Sequence, residues 1–130
     1  MTSEITFPGG LKVKVLHNGH EVVADQPVAA GGEDSAPSPF DLFIVSIGAC
    51  AGFYALKFCR ARKIPTEGMS LTMDSEYGPE DKMIRRIDIT IRLPQGFPGE
   101  YRQAMVKVVE SCTVKKHLEK PPKIGVKVAG

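Results

Sequence analysis

The sequence predicts an α+β fold, with an antiparallel sheet arranged about one long apolar helix. Three observations carry this. The stretch Ser38 to Lys63 reads as a single helix with almost no polar face. Alternating apolar and polar residues on either side of it mark extended pairs joined by turn signatures. The resulting order, β-β-α-β-β-α-α-β, lacks the strict strand–helix alternation of a parallel sheet. At 130 residues, with no internal repeat, the chain is expected to be a single domain, 1–130.

Taken in order, Leu11 to His17 alternates Leu11, Val13 and Val15 against Lys12 and Lys14, the pattern of a half-buried strand. Asn18-Gly19 is a two-residue hairpin turn, because both residue types tolerate positive φ. His20 to Asp25 is the returning strand. Ala29 to Pro39 is a small-residue loop without periodicity, leading directly into the long helix. After the helix, Ile64-Pro65 forces extension, since the residue before proline avoids the helical region. Met69 to Met73 and Ile87 to Leu93 alternate and read as antiparallel strands joined through Gly78-Pro79-Glu80-Asp81. Glu100 to Glu110 is an amphipathic helix with Tyr101, Met105, Val108 and Val109 on one side. Ser111 to Val114, with Ser111 a candidate cap, leads into a short helical stretch to Leu118 or Glu119, which Pro121-Pro122 breaks. Lys123 to Val128 alternates again and is expected to close the chain as a strand.

The long helix is punctuated at its start. Ser38 is a suitable N-cap, Pro39 fits the first helical position, and Asp41 completes a capping box facing the positive end of the dipole. From Leu42 to Leu56 the only clearly polar residues are Ser46 and Tyr54. A helix with no wet face is expected to be a core helix surrounded by protein. Its uninterrupted apolar run falls short of the roughly 20 residues of a membrane span, so no membrane partner is expected.

Composition excludes several functional classes. Net charge is +2, and the late lysines Lys115, Lys116, Lys120, Lys123 and Lys127 have no aromatic interleaving, so nucleic acid is not an expected partner. The start, MTSEITFPGG, has neither a basic segment nor an apolar one of signal-peptide type. Three widely spaced cysteines do not form a secreted disulfide framework and fit a reducing cytoplasm. No cysteine–histidine cluster has metal-ligand spacing, and no metal is expected.

The cysteines carry the chemistry. Ser46, Cys50, Tyr54 and Lys57 share one stripe of the helix, so Cys50 lies on its only face with polar groups. Cys59 is two and a half turns further on, about 13 Å along the axis and on the opposite side. A disulfide requires Cα atoms within about 7 Å, so any redox partner of Cys50 within the chain is Cys112. Cys112 falls in the first turn of the following helical stretch, where the dipole and Lys115 and Lys116 favour a thiolate. Cys50, mid-helix among apolar residues, has its thiolate disfavoured. All three cysteines also admit a purely packing role.

Two stretches resemble a known family. APSPFDLFIVSIGAC resembles the "sPxeLllaAlaaC" entry to the central helix of the OsmC/Ohr family, and SCTVKKHL resembles its second cysteine signature, "CpvhktL". The resemblance covers nearly the whole chain. It implies an OsmC-like fold: an intertwined homodimer in which antiparallel sheets from both chains wrap two long central helices. It implies thiol peroxidase activity toward organic hydroperoxides. Cys50 would attack the peroxide and become a sulfenic acid, and Cys112 would resolve it as a disulfide. An external dithiol reductant would restore both thiols, with no bound cofactor. The family thus makes Cys50 the attacking thiolate, against the dipole argument for Cys112.

The chain departs from the family pattern around Cys50. Peroxidase members carry a glutamate just after the proline of the helix entry, where this chain has Phe40. Asp41 is one position on, some 100° around the helix. No arginine precedes Cys50, and Lys12 or Lys14 would have to substitute without the planar fork of a guanidinium. Glu33 and Asp34 are spare loop carboxylates. Thr113 stands where the second motif usually has proline, and Lys115 where it usually has histidine. The thiols are retained while the family's activating shell is not, which marks a divergent member; the activity the resemblance implies is organic hydroperoxide reduction in oxidative-stress defence. The alternatives are a non-catalytic dimeric binding module with an apolar ligand cleft, or a redox sensor on the same fold.

Overall fold

A computed structural model describes residues 1–130. Five strands and three α-helices occur in the order β1 (Glu4–Gly9), β2 (Lys12–His17), β3 (His20–Ala24), α1 (Pro39–Ala61), β4 (Ser70–Tyr77), β5 (Ile84–Arg92), α2 (Arg102–Glu110) and α3 (Thr113–Glu119). The chain forms two compact units, Met1–Ser46 and Ile47–Gly130.

The first unit holds an antiparallel sheet of order β1-β2-β3. The β2–β3 hairpin turns at Asn18 (φ 49°) and Gly19 (φ 78°), both in the left-handed region the sequence pattern requires. β1 was not foreseen. Ile5 and Phe7 do alternate with Glu4 and Thr6, but Pro8 argues against a strand. The structure accommodates Pro8 on an edge strand, where the β1–β2 register is irregular between Thr6 and Gly9.

The loop after β3 is organised by one carboxylate. Asp25 is 1% exposed. It accepts hydrogen bonds from the Ser35 hydroxyl (2.6 Å) and from the backbone N–H groups of Gln26 (2.8 Å), Ser35 (3.1 Å) and Glu33 (3.3 Å). These bonds lower its pKa to about 2, the Ser35 hydroxyl most strongly. The loop expected to be featureless is thus ordered around a buried acid, with a 3-10 turn at Val28–Ala30.

α1 starts as its sequence dictates. The Ser38 Oγ accepts from the Asp41 N–H at 3.1 Å, and the Asp41 carboxylate accepts from the Ser38 N–H at 3.3 Å, a reciprocal capping box. At 23 residues, with mean hydropathy 1.8 over its most apolar window, α1 is long and apolar enough by those measures to cross a membrane.

α1 is not surrounded by protein. Ile47, Ala51, Ala55, Phe58 and Cys59 are buried. The opposite stripe, including Val45 (55% exposed), Phe53 (55%) and Leu56 (41%), is open in the single chain. An apolar helix announces that both faces seek cover, but not that this chain covers both.

In the second unit, β4 and β5 pair antiparallel, with Leu71 opposite Ile91 and Met73 opposite Ile89. Leu71, Ile89 and Ile91 pack against the core formed by the buried face of α1 with Met105 and Val109 of α2. The strand expected at Lys123 to Val128 does not form; residues 121–130 carry no helix or strand. Ile124, Val126 and Val128 are 87%, 94% and 96% exposed. Their alternation pairs with neither sheet of the chain.

Candidate active site

Cys50 and Cys112 come together in the second unit. Cys50 sits mid-way along α1 and is half-buried, while Cys112 is 2% exposed; both are free thiols. Cys112, rather than Ser111, is the N-cap of α3, and its Sγ accepts the Lys115 backbone N–H at 3.3 Å. Ser111 instead closes α2, its Oγ donating to the Val108 carbonyl. Burial pushes the Cys112 thiol above its ordinary pKa. The Lys115 N–H opposes this, and the neighbouring Cys50 thiol raises it further through a hydrogen bond and through charge.

The dipole argument for a reactive Cys112 is therefore corrected. The Lys115 and Val114 N–H groups at the start of a seven-residue helix do not offset loss of water around the sulfur. Cys59 is fully buried, with its Sγ against the Met69 Sδ at 3.9 Å. Burial raises its pKa too, so it packs and takes no part in the pair.

A hydroxyl pair flanks the thiol pair. The Tyr54 hydroxyl, one turn beyond Cys50, is 2.9 Å from the Thr113 Oγ1, the residue after Cys112. Sequence reading placed Tyr54 on the Cys50 stripe and noted Thr113 as a departure, but gave no reason to join them. Ser46, on the same stripe, donates to the Phe43 carbonyl.

Beside Cys112 opens a cavity of about 560 Å³. Its lining is mainly apolar and includes Ile47, Ile89, Ile91, Met105, Val109 and Leu118, with the exposed charges of Asp88, Arg102, Glu110 and Lys115. Arg102 is a cation the sequence reading missed. It lies after Cys50 in the chain, whereas only the segment before Cys50 was searched for an arginine.

The supporting residues singled out from sequence lie in the first unit, each with a local partner. Lys12 pairs with Glu33 at 2.8 Å, and that hydrogen bond raises the Lys12 pKa. Lys14 pairs with Glu21 at 3.6 Å. Asp41 is committed to the cap with Ser38. Phe40 stacks on Phe43 with ring centroids 5.6 Å apart.

A half-buried thiol on the long helix, a buried second thiol capping a later helix and an apolar cavity lined by that second thiol define a dithiol protein of the α+β class. The chain belongs to the OsmC-like family, whose model (OsmC-like protein) matches residues 32–127. No curated protein matches it.

Solved structures share its fold. A Psychrobacter arcticus protein named for osmotic stress induction and a detoxification response superposes with TM-score 0.74 at 23% identity, over 89% of this chain and 86% of that one. An organic hydroperoxide resistance protein from Legionella pneumophila gives 0.57 at 19% identity, over 90% and 87%. The organic hydroperoxide resistance protein OhrB of Bacillus subtilis gives 0.52 at 19%, over 93% of each chain.

Proposed function

We propose that this protein is a cytoplasmic, homodimeric thiol peroxidase that reduces organic hydroperoxides and so serves oxidative-stress defence. The observation that carries the reading is the meeting of Cys50 and Cys112, the latter lining an apolar cavity. The Cys50 thiolate attacks the hydroperoxide oxygen. The O–O bond breaks, Cys50 becomes a sulfenic acid, and the alkoxide leaves and takes up a proton as the alcohol. The Cys112 sulfur then displaces hydroxide from the sulfenic acid, its own proton completing a water molecule, and a Cys50–Cys112 disulfide forms. An external dithiol reduces that disulfide through a mixed disulfide and leaves as its own disulfide.

The raised Cys112 pKa suits the resolving role, because a protonated thiol does not compete with Cys50 for peroxide. The cavity offers apolar surface for the organic part of the substrate. Two features support the dimer: the open stripe Val45, Phe53 and Leu56 on α1, and the unpaired alternation Ile124, Val126 and Val128. Family members whose names speak of organic hydroperoxide resistance support the substrate class.

The test is mass spectrometry of the reduced protein after one equivalent of cumene hydroperoxide. Loss of two protons and a linked Cys50–Cys112 peptide are expected, with Cys50→Ser abolishing peroxide consumption. Absence of that link, with Cys112 untouched, refutes the reading. Phe40 in place of a carboxylate, together with the cavity, favours one second reading: a dimeric binding module whose apolar ligand affinity survives Cys50→Ser.

A further inference from the structure

We propose that the Tyr54–Thr113 hydroxyl pair is a positioning clamp that holds Cys112 against Cys50. The inference rests on the dithiol reading above and adds to it two residues with no thiol chemistry of their own. α3 has no buried residue along its length. A helix that buries nothing is placed by its ends and by its few specific contacts. At its start these are the buried Cys112 side chain, the Cys112 N–H on the Val109 carbonyl at 3.3 Å, and the Thr113 hydroxyl on Tyr54 at 2.9 Å. The hydroxyl bond ties the residue one turn after Cys50 to the residue directly after Cys112.

The consequence falls on the second chemical step. Disulfide closure needs the Cys112 sulfur to leave the Lys115 N–H and reach the oxidised Cys50 sulfur. With the α3 start pinned, a side-chain rotation accomplishes this, and the sulfurs keep a high effective concentration. Without the clamp, α3 swings on the Cys112 attachment, and a Cys50 sulfenic acid waits longer for its partner. A waiting sulfenic acid meets a second hydroperoxide, which transfers another oxygen and leaves as the alcohol, giving the sulfinic acid. Tyr54 and Thr113 thereby set the partition between disulfide and sulfinic acid. They act through Cys112 and do not touch the substrate.

The experiment compares the full-length reduced protein with Tyr54→Phe, Thr113→Val and Thr113→Ser, over a series of cumene hydroperoxide concentrations. Disulfide and sulfinic forms are read by intact mass. Tyr54→Phe and Thr113→Val each raise the sulfinic fraction and slow disulfide closure about two- to fivefold, the scale of one partly exposed hydrogen bond. The rate of first oxidation is unchanged, and Thr113→Ser, which keeps the hydroxyl, behaves as the parent. Melting curves confirm that each variant is folded; a structural role alone would move melting and leave the partition untouched.

A second arm closes the disulfide with diamide, which takes two electrons and two protons from the dithiol and becomes the hydrazine. This reads the clamp without any peroxide. Parent protein that closes with diamide but ignores hydroperoxide overturns the peroxidase reading alone. Tyr54→Phe and Thr113→Val that partition and close as the parent does overturn the clamp.

Discussion

Phe53→Asp is expected to dissociate the proposed dimer. Phe53 is 55% exposed on α1, in a stripe with Val45 and Leu56 that faces away from the buried Ile47, Ala51 and Ala55. An aromatic side chain buries about 150–250 Å² when fully covered, so roughly 100 Å² of Phe53 awaits a partner. At about 25 cal/mol per Å², that is about 2.5 kcal/mol per copy. A two-fold dimer counts it twice, giving about 5 kcal/mol, or between three and four decades in dissociation constant. Ordering costs take back part of this, and the aspartate adds an unpaired charge. A weakening of at least about a hundredfold is therefore expected. Sedimentation velocity over a concentration series measures it, with Glu80→Lys in the β4–β5 turn as a surface control. A parent chain that stays monomeric throughout, or a Phe53→Asp variant that associates as the parent does, refutes the argument.

Four further outcomes follow from local geometry. Gly32→Ala is expected to destabilise by about 2 kcal/mol or more, because a Cβ there would sit 2.1 Å from the Gln26 carbonyl oxygen, which already accepts the Asp34 N–H. Gly48→Ala should be neutral or stabilising by up to about 1 kcal/mol, since its Cβ meets only the mobile end of Met73 and alanine favours the helix; urea midpoints compare the two. Asp25→Asn should lower the melting temperature most above pH 4. The folded carboxyl titrates at about 2, below its ordinary value of 3.8, so its stabilisation is present above 3.8 and disappears as pH falls toward 2. Melting against pH checks this, and a gap between parent and variant that stays constant down to pH 2 would contradict it. Iodoacetamide at pH 8 is expected to label Cys50 first, ahead of the buried Cys112 and Cys59, whose pKa values are both raised. Peptide mapping of the labelled sites reads the order.

The elements that were legible in the sequence are those whose signals are local. Ser38 and Asp41 fix the start of α1 by hydrogen bonds within four residues. Asn18-Gly19 fixes a hairpin by backbone conformation alone. Met105 and Val109 fall on the buried side of α2 because helical period dictates it. What escaped depends on distant partners. Pro8 hid β1 because its acceptability depends on lying at a sheet edge. Lys123 to Val128 has strand periodicity but pairs with neither sheet of the chain. Asp25 reads as an ordinary strand-end acid until Ser35 and three backbone N–H groups converge on it. Cys50 and Cys112 were joined by elimination and by family resemblance, and the meeting of α1 with the start of α3 gives that pairing a geometry.

The error over Cys112 has an instructive cause. Sequence shows a thiol at the start of a helix with two lysines nearby, and all three features favour a thiolate. It does not show that the sulfur is 2% exposed. A helix-end charge effect amounts to about 0.3–1 kcal/mol, whereas desolvation of a buried thiolate moves a pKa by whole units. The Lys115 N–H, which hydrogen-bonds the sulfur at 3.3 Å, and the Val114 N–H both lower its pKa, but burial is the largest influence. Burial therefore wins, and the Cys112 pKa rises instead of falling. In the proposed mechanism the half-buried thiol on α1 meets the incoming oxidant, while burial favours the protonated form of the thiol that caps α3. A resolving cysteine needs this reserve: were Cys112 the stronger thiolate, it would be oxidised first. Its restraint makes clamping useful, because a weak nucleophile closes a disulfide quickly only when it is held close to its target.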